Sequence, residues 1–227
     1  MRAFILGAGL GKRLRPLTEH LPKPLLPVKG EPLVCRIIRR LAAAGVDRVM
    51  INTHHAHHRW GEFFKEPVFE GVELNFRHEP VLLDTGGGIK NVEDFFEGHG
   101  TFLIHNGDVF TDLPLSRALE HHRREKNLVT LVLRSSGGPL HVALDGGGRV
   151  TDIRGGLNSP GVQACLFTGI HVAEPELFRH IPQVEVKSII PIYLDLIRRG
   201  LRVGGVVIDE GEWSDIGTLE EYRLRAA

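Results

Sequence analysis

The chain has 227 residues, enough to bury a sizeable core in one large or two small domains. Its 28 basic and 28 acidic side chains cancel, and with 42% hydrophobic residues it has the make-up of a soluble globular protein with no nucleic-acid or anionic-membrane partner. Two distant cysteines, Cys35 and Cys165, exclude a disulfide framework or zinc ribbon, and the apolar run before Gly7 is too short for a signal peptide or spanning helix, so a cytoplasmic enzyme is expected.

The apolar run Ala3-Phe4-Ile5-Leu6 predicts a buried strand, followed by Gly7, Gly9 and Gly11. Glycine lets backbone press against a ligand, and successive N–H groups in such a turn can hold an anion. Lys12, Arg13 and Arg15 stand beside the turn, and Lys23 is stiffened between Pro22 and Pro24. The spacing is neither that of a dinucleotide fingerprint nor that of a P-loop, so an ordinary strand-to-loop turn is the alternative to a phosphate cradle. Leu33, Ile37, Ile38, Leu41 and Ala44 share one face of a helix opened by Pro32 and closed by Gly45. With the strand predicted over Val46 to Ile51, this is a βαβ unit and implies a parallel sheet. His54, His55, His57 and His58 suggest a metal, but neighbouring helical residues diverge, so they read as surface or helix-start residues.

A third strand is predicted over Val72 to Phe76. Asp84-Thr85-Gly86-Gly87-Gly88 then opens a helix expected to run on through Phe96; its glycines could let a flat base lie on the backbone, or form a flexible loop capped by Thr85. Phe102 to Ile104 is a strand ending in Asn106-Gly107-Asp108. A carboxylate at the end of a parallel strand lies where ligands bind and suits Mg²⁺, though an aspartate in a turn looks the same in sequence. A helix over Leu113 to Lys126, a buried strand over Leu128 to Leu133 and a hairpin spanning His141 to Ile153 come next. The hairpin and a strand over Ala164 to Val172 should form a lobe over the cleft, with Phe167 read as core. Pro175 to Ile181 is a short helix and Ser188 to Arg199 an amphipathic one. Gly204 to Ile208 is read as the last strand, before the loop Glu212 to Gly217 and a capping box from Thr218.

Gly9-x-Gly11-Lys12-Arg13-Leu14-x-Pro16-Leu17-Thr18, then Pro22-Lys23-Pro24-Leu25 and Pro27-Val28-x-Gly30-x-Pro32-Leu33, resembles the N-terminal motif of the sugar-1-phosphate nucleotidyltransferases. Asn106-Gly107-Asp108 and Trp213-x-Asp215-Ile216-Gly217-Thr218 are similar to the family's two metal-binding motifs, so the resemblance covers nearly the whole chain. Thr85-Gly86-Gly87-Gly88 is most similar to the N-acetylmuramate-1-phosphate uridylyltransferase branch, with the mannose-1-phosphate guanylyltransferase-like enzymes also near. The resemblance implies a Rossmann-like three-layer α/β/α fold with a mostly parallel mixed central sheet and a small sugar-side β lobe. One domain is expected over 1–227, with a nucleotide half at about 1–112, a sugar half at about 113–227 and no C-terminal β-helix.

It also implies roles. Leu6, Gly7, Ala8, Gly9, Gly11, Lys12 and Arg13 would bind the nucleotide with Thr85, Gly86 and Gly87. Arg13 and Lys23 would be catalytic. Lys23, Asp108, Thr168 and Gly169 would contact the acceptor, and Asp108 and Asp215 would hold Mg²⁺. An NTP and a sugar-1-phosphate are the expected partners of a monomer or homodimer. UTP with N-acetylmuramate-1-phosphate leads. GTP with mannose- or heptose-1-phosphate, or cytidylyl transfer to a non-sugar phosphate, are the alternative activities; a regulatory protein that binds a nucleotide-sugar without turnover is the alternative class. Arg154-Gly155-Gly156 stands where many relatives carry Glu-Lys, and Phe167 where many carry Asn, so the usual sugar contacts are not expected.

Overall fold

The protein is described here by a computed structural model covering residues 1–226. Its sheet strands are β1 (Arg2–Leu6), β2 (Arg48–Thr53), β3 (Val72–His78), β4 (Phe102–Asn106), β5 (Val129–Arg134), β6 (Val142–Leu144), β7 (Val150–Ile153), β8 (Gln163–Ala173) and β9 (Val203–Val207), with Val68–Phe69 at one edge. The main helices are α1 (Leu33–Ala43), α2 (His58–Phe63), α3 (Asp84–Lys90), α4 (Leu115–Glu125), α5 (Ile189–Arg198) and α6 (Leu219–Ala226).

Four strands are parallel, in the order β3-β2-β1-β4. Beyond β4 the sheet turns mixed: β8 runs antiparallel to β4, to β5 and to β6, and β9 lies parallel to β5. Strand side chains alternate between two cores, as the pleat requires. Ala3 and Ile5 pack with α1 and α4; Phe4 packs with Ile89, Phe96 and the inner face of α5. Because helices cover both faces, these strands are buried on both sides and read as continuous apolar runs. The result is a three-layer α/β/α architecture with a mostly parallel central sheet.

The chain moves outward from β1 through β2 to β3, then returns to place β4 on the other side of β1. This reversal leaves a crevice at the carboxyl ends of β1 and β4, where ligands of open α/β sheets bind. The long strand β8 reaches past that crevice. Its C-terminal half pairs with β4, while Gln163 to Cys165 carry the β6–β7 hairpin as a side lobe.

Three expectations change. The helix from Asp84 stops at Lys90, and a separate turn covers Glu93–Phe96. Pro175–His180 is 3₁₀ rather than α-helical. Trp213–Asp215, read as loop, is a strand pairing antiparallel with Val109–Thr111 in a small ribbon. The capping box forms: the Glu221 amide donates to Thr218 Oγ1 (3.2 Å) and the Thr218 amide to Glu221 Oε2 (2.9 Å).

Candidate active site

A cleft of about 390 Å³ opens at the switch point, lined by the β1 loop (Leu6 to Gly9), Lys23, Asn52, Asp84, Thr85 and Asn106 to Asp108. Its volume lies in the range of small-molecule sites. A second cavity of about 500 Å³ shares Asp84, Thr85 and Asn106 with it. That cavity extends under the side lobe, past Thr168, Gly169 and Asp215 to Phe167, His141 and Arg154.

Close approach demands glycine at two points around the first cleft. A Cβ on Gly7 would lie 2.8 Å from the Asn52 carbonyl oxygen, and one on Gly107 would lie 2.6 Å from the Leu6 carbonyl oxygen. Gly7 is also fixed by its amide, which donates to Asn52 Oδ1 (2.7 Å). Asn52 Nδ2 donates to Glu79 Oε1 (2.8 Å), and the Leu83 amide to Glu79 Oε2 (3.1 Å). This buried relay ties the β1 loop to the loop before α3. Among the described residues, the amides from Ala8 to Gly11 donate to no protein acceptor, leaving an anion-binding edge.

Lys23 sits in a one-turn 3₁₀ segment between Pro22 and Pro24, with its side chain only 10% exposed. Its Nζ donates to Asp108 Oδ2 at 2.6 Å and lies 3.8 Å from Asp215 Oδ1. The ribbon explains how aspartates so far apart in sequence meet: Asp215 pairs with Val109, and the Ile216 amide donates to the Asp108 carbonyl (3.0 Å). Trp213 locks the ribbon to β8 through Nε1, which donates to the Thr168 carbonyl (2.9 Å). Burial, reinforced by the charge of Asp108, pushes the Asp215 carboxyl up against the opposing pull of Lys23. Asp215 Oδ1 is buried with no hydrogen-bond partner. Two converging carboxylates, one with an orphaned oxygen, fit a hard divalent cation whose remaining ligands are phosphate and water. Arg13 approaches the same place from above Gly217, where a Cβ would lie 2.9 Å from its Nη2.

The other expected residues divide. Leu6, Gly7, Ala8, Gly9 and Thr85 line the first cleft; Thr168, Gly169 and Asp215 line the second. Gly11 and the exposed Lys12 and Arg13 line neither cavity; Gly11 takes a left-handed φ of +59° and packs on Thr18. The amides of Gly86 and Gly87 both donate to the Lys187 carbonyl (2.7 and 3.1 Å), so in this structure they face a strap from residues 185–188. Thr85 does not cap α3; its hydroxyl accepts the Ile189 amide (2.9 Å). The Thr168 hydroxyl donates to the Val132 carbonyl (2.7 Å), at an irregularity in β8 between Phe167 and His171. Phe167 is half-buried and faces the second cavity. The histidines 54–58 build no metal site: among the described residues no three His, Cys, Asp or Glu side chains converge. Asn52, Leu82 and Val186, which line the cleft, and Glu79, which holds Asn52 from behind it, were not singled out from sequence, because only the folded chain brings them together.

The chain matches the nucleotidyl transferase family over residues 2–226. It is 29% identical to a UTP–glucose-1-phosphate uridylyltransferase from Synechocystis and 32% identical to a mannose-1-phosphate guanylyltransferase from Mycobacterium tuberculosis, spanning 61% and 62% of their lengths. With an N-acetylmuramate α-1-phosphate uridylyltransferase from Neisseria meningitidis it shares 32% identity over all of this chain and 96% of that one. A crystal structure titled as a putative glucose-1-phosphate thymidylyltransferase from Bacillus anthracis superposes with a TM-score of 0.84 at 21% identity, covering 100% of this chain and 94% of that one. Among the described residues no helix is long and apolar enough to cross a membrane. The chain belongs to the nucleotidyl transferase family.

Proposed function

We propose that the protein transfers a nucleotidyl group from an NTP to a sugar-1-phosphate, with UTP and N-acetylmuramate-1-phosphate as substrates. The observation that carries the reaction class is Lys23 Nζ standing between Asp108 and Asp215 beside the free amides of the β1 loop. The substrate pair rests on the Neisseria relative, which this chain matches along almost its entire length.

An acceptor phosphate oxygen attacks the α-phosphorus, and the bond from that phosphorus to the β-bridging oxygen breaks. The obstacle is repulsion between two anions and charge growing on the departing pyrophosphate, so fixed positive charge is the main catalytic device. The amides of Ala8 and Gly9 hold triphosphate oxygens, and Arg13 stabilises the leaving pyrophosphate. Lys23, which the flanking prolines keep from retreating, bridges the α-phosphate and the incoming phosphate. Asp108 and Asp215 hold Mg²⁺, which when bound neutralises phosphate charge and orients the triphosphate. The base lies between the β1 loop and Leu82, Thr85 and Val186; the sugar occupies the cavity under the side lobe.

Pyrophosphate release measured for four NTPs against a panel of acceptors tests this. UTP with N-acetylmuramate-1-phosphate should give the highest kcat/KM, and only with Mg²⁺. A maximum with GTP and mannose- or heptose-1-phosphate, or with CTP and an alditol phosphate, would replace the substrate pair. Release with none of them would remove the reaction class.

A further inference from the structure

The cavity under the side lobe holds a cation that the phosphate chemistry does not use. Arg154 lines it beside His141, and among the described residues the guanidinium makes no ion pair and no hydrogen bond. The one carboxylate close to Arg154 in sequence, Asp152, accepts the amides of Leu157 and Ser159 (3.1 and 3.2 Å).

The backbone holds Arg154 in place at some cost. Arg154 and Gly155 both have left-handed φ, +57° and +73°, and the Gly156 amide closes the turn on the Ile153 carbonyl (3.1 Å). Such a turn favours Asn, Asp or Gly at its first central position, so an arginine there is retained against local preference. The Arg154 amide also donates to the His141 carbonyl (2.6 Å), and the His141 amide to the Cys165 carbonyl (2.9 Å), fastening the turn to β8.

Position decides what the charge can read. The phosphate end of the cavity is at Gly169 and Asp215, next to Lys23. Arg154 is fastened at the level of Cys165, four residues along β8, or about 13 Å away at strand spacing. The arginine side chain, which lines the cavity, covers part of that span and leaves room for a sugar ring and a group on its far side. The intervening wall is apolar or neutral: Leu166, Phe167, Ile190 and Trp213.

We propose that Arg154 is a specificity-determining residue that binds a second negative charge on the acceptor, a carboxylate carried on the far side of the sugar ring. A planar guanidinium matches a carboxylate with two parallel hydrogen bonds, which a neutral hexose cannot return. This rests on the sugar-1-phosphate reading above and gives it an acidic acceptor class.

The test compares N-acetylmuramate-1-phosphate with N-acetylglucosamine-1-phosphate, which shares its ring but lacks the carboxylate. Wild type should prefer the first over the second by about 10- to 100-fold in kcat/KM, the span of a charged hydrogen bond, with the difference in KM and shrinking as salt is added. In Arg154→Gln the preference for the carboxylate should fall to within about threefold, and Arg154→Lys should keep part of it. The methyl ester of N-acetylmuramate-1-phosphate removes the same charge from the substrate side, so wild type alone gives an answer should the variants not fold. A preference that survives in Arg154→Gln or with the ester overturns the role of Arg154. Equal use of acidic and neutral acceptors overturns the carboxylate while leaving nucleotidyl transfer standing. No pyrophosphate with any acceptor overturns the parent reading, and this one with it.

Discussion

Lys23 is held by Asp108 at 2.6 Å and approached by Asp215 at 3.8 Å, so one ammonium neutralises part of two carboxylates. Removing the ammonium strips charge from the transferring phosphate and leaves the acids to repel each other. Lys23→Ala and Asp108→Asn should each lower kcat by about 10²–10³-fold, as loss of a preorganised charged contact does. Single-turnover pyrophosphate release measures this; either variant staying within about threefold of wild type would contradict the assigned roles. A different titration belongs to the buried histidines on adjacent strands. Burial pushes His105 down to about 4 and His171 down to about 3, from an ordinary value of 6.5. His171 Nδ1 pairs with the Tyr193 hydroxyl (2.5 Å). Folded, both rings are neutral; unfolded, both take up a proton below pH 6.5. Their contribution to stability is therefore complete above 6.5 and is lost as pH falls toward 4 and then 3, at about 1.4 kcal/mol per pH unit for each proton. His171→Gln, which keeps a partner for Tyr193, should lose less stability than wild type between pH 7 and pH 5 in urea titrations. Equal losses would show that His171 is not held neutral.

Between elements, two glycines separate folding from function. Nothing lies within 4 Å of a Cβ placed on Gly9, whereas one on Gly87 would overlap the Glu185 carbonyl oxygen and meet Leu83 Cβ at 3.0 Å. Gly87→Ala must push the 185–188 strap off α3, at a cost of about 1–3 kcal/mol, and Val186 should leave the cleft wall with it. Gly9→Ala should leave the thermal midpoint unchanged but raise KM for the nucleotide, because the added methyl occupies space the triphosphate needs. Reversed effects, with Gly9→Ala unstable and Gly87→Ala merely weak in binding, would misplace the strap. The same pair shows what was legible in sequence. Glycine runs and proline-flanked Lys23 stand out because few other residues can satisfy such backbone constraints, so the cradle could be singled out; Asp108 stood out by its place at a strand end, and Asp215 only through the resemblance of its motif. The partner of the Gly86–Gly88 run could not, since Lys187 is a hundred residues away. The Trp213–Asp215 strand escaped because three residues carry no period and its partner strand is equally short. Asn52 and Glu79 carry no motif of their own; only the packed chain reveals Glu79 as buried and joined to Gly7 through Asn52.

The two halves of the molecule are sewn together at several places. Strand β4, from the first half, is flanked by β1 on one side and by Ile170 to Ala173 of β8 on the other. The ribbon pairs Val109–Thr111 with Trp213–Asp215, and the Tyr222 hydroxyl donates to the Pro27 carbonyl (2.9 Å) from the far end of the chain. Cutting after about residue 112 would expose the edge of β4, strip the second core of α5 and remove Asp215 from Asp108. A lone fragment of about residues 1–112 should therefore not keep its fold, and the whole chain should unfold in one step. Trp60 lies in the first core with Trp213 and Tyr222 packed against it, and Tyr193 lies in the second, so in a Tyr222→Phe background the tryptophan and tyrosine signals report on opposite faces of the sheet. Coincident urea transitions from tryptophan fluorescence and near-ultraviolet tyrosine dichroism are expected. UTP with Mg²⁺ at about a hundredfold excess over its dissociation constant should move both together by about 2.7 kcal/mol. Separate transitions, with only the tryptophan signal following the nucleotide, would mean that the shared sheet does not couple the halves and that the site is assembled by docking rather than by folding.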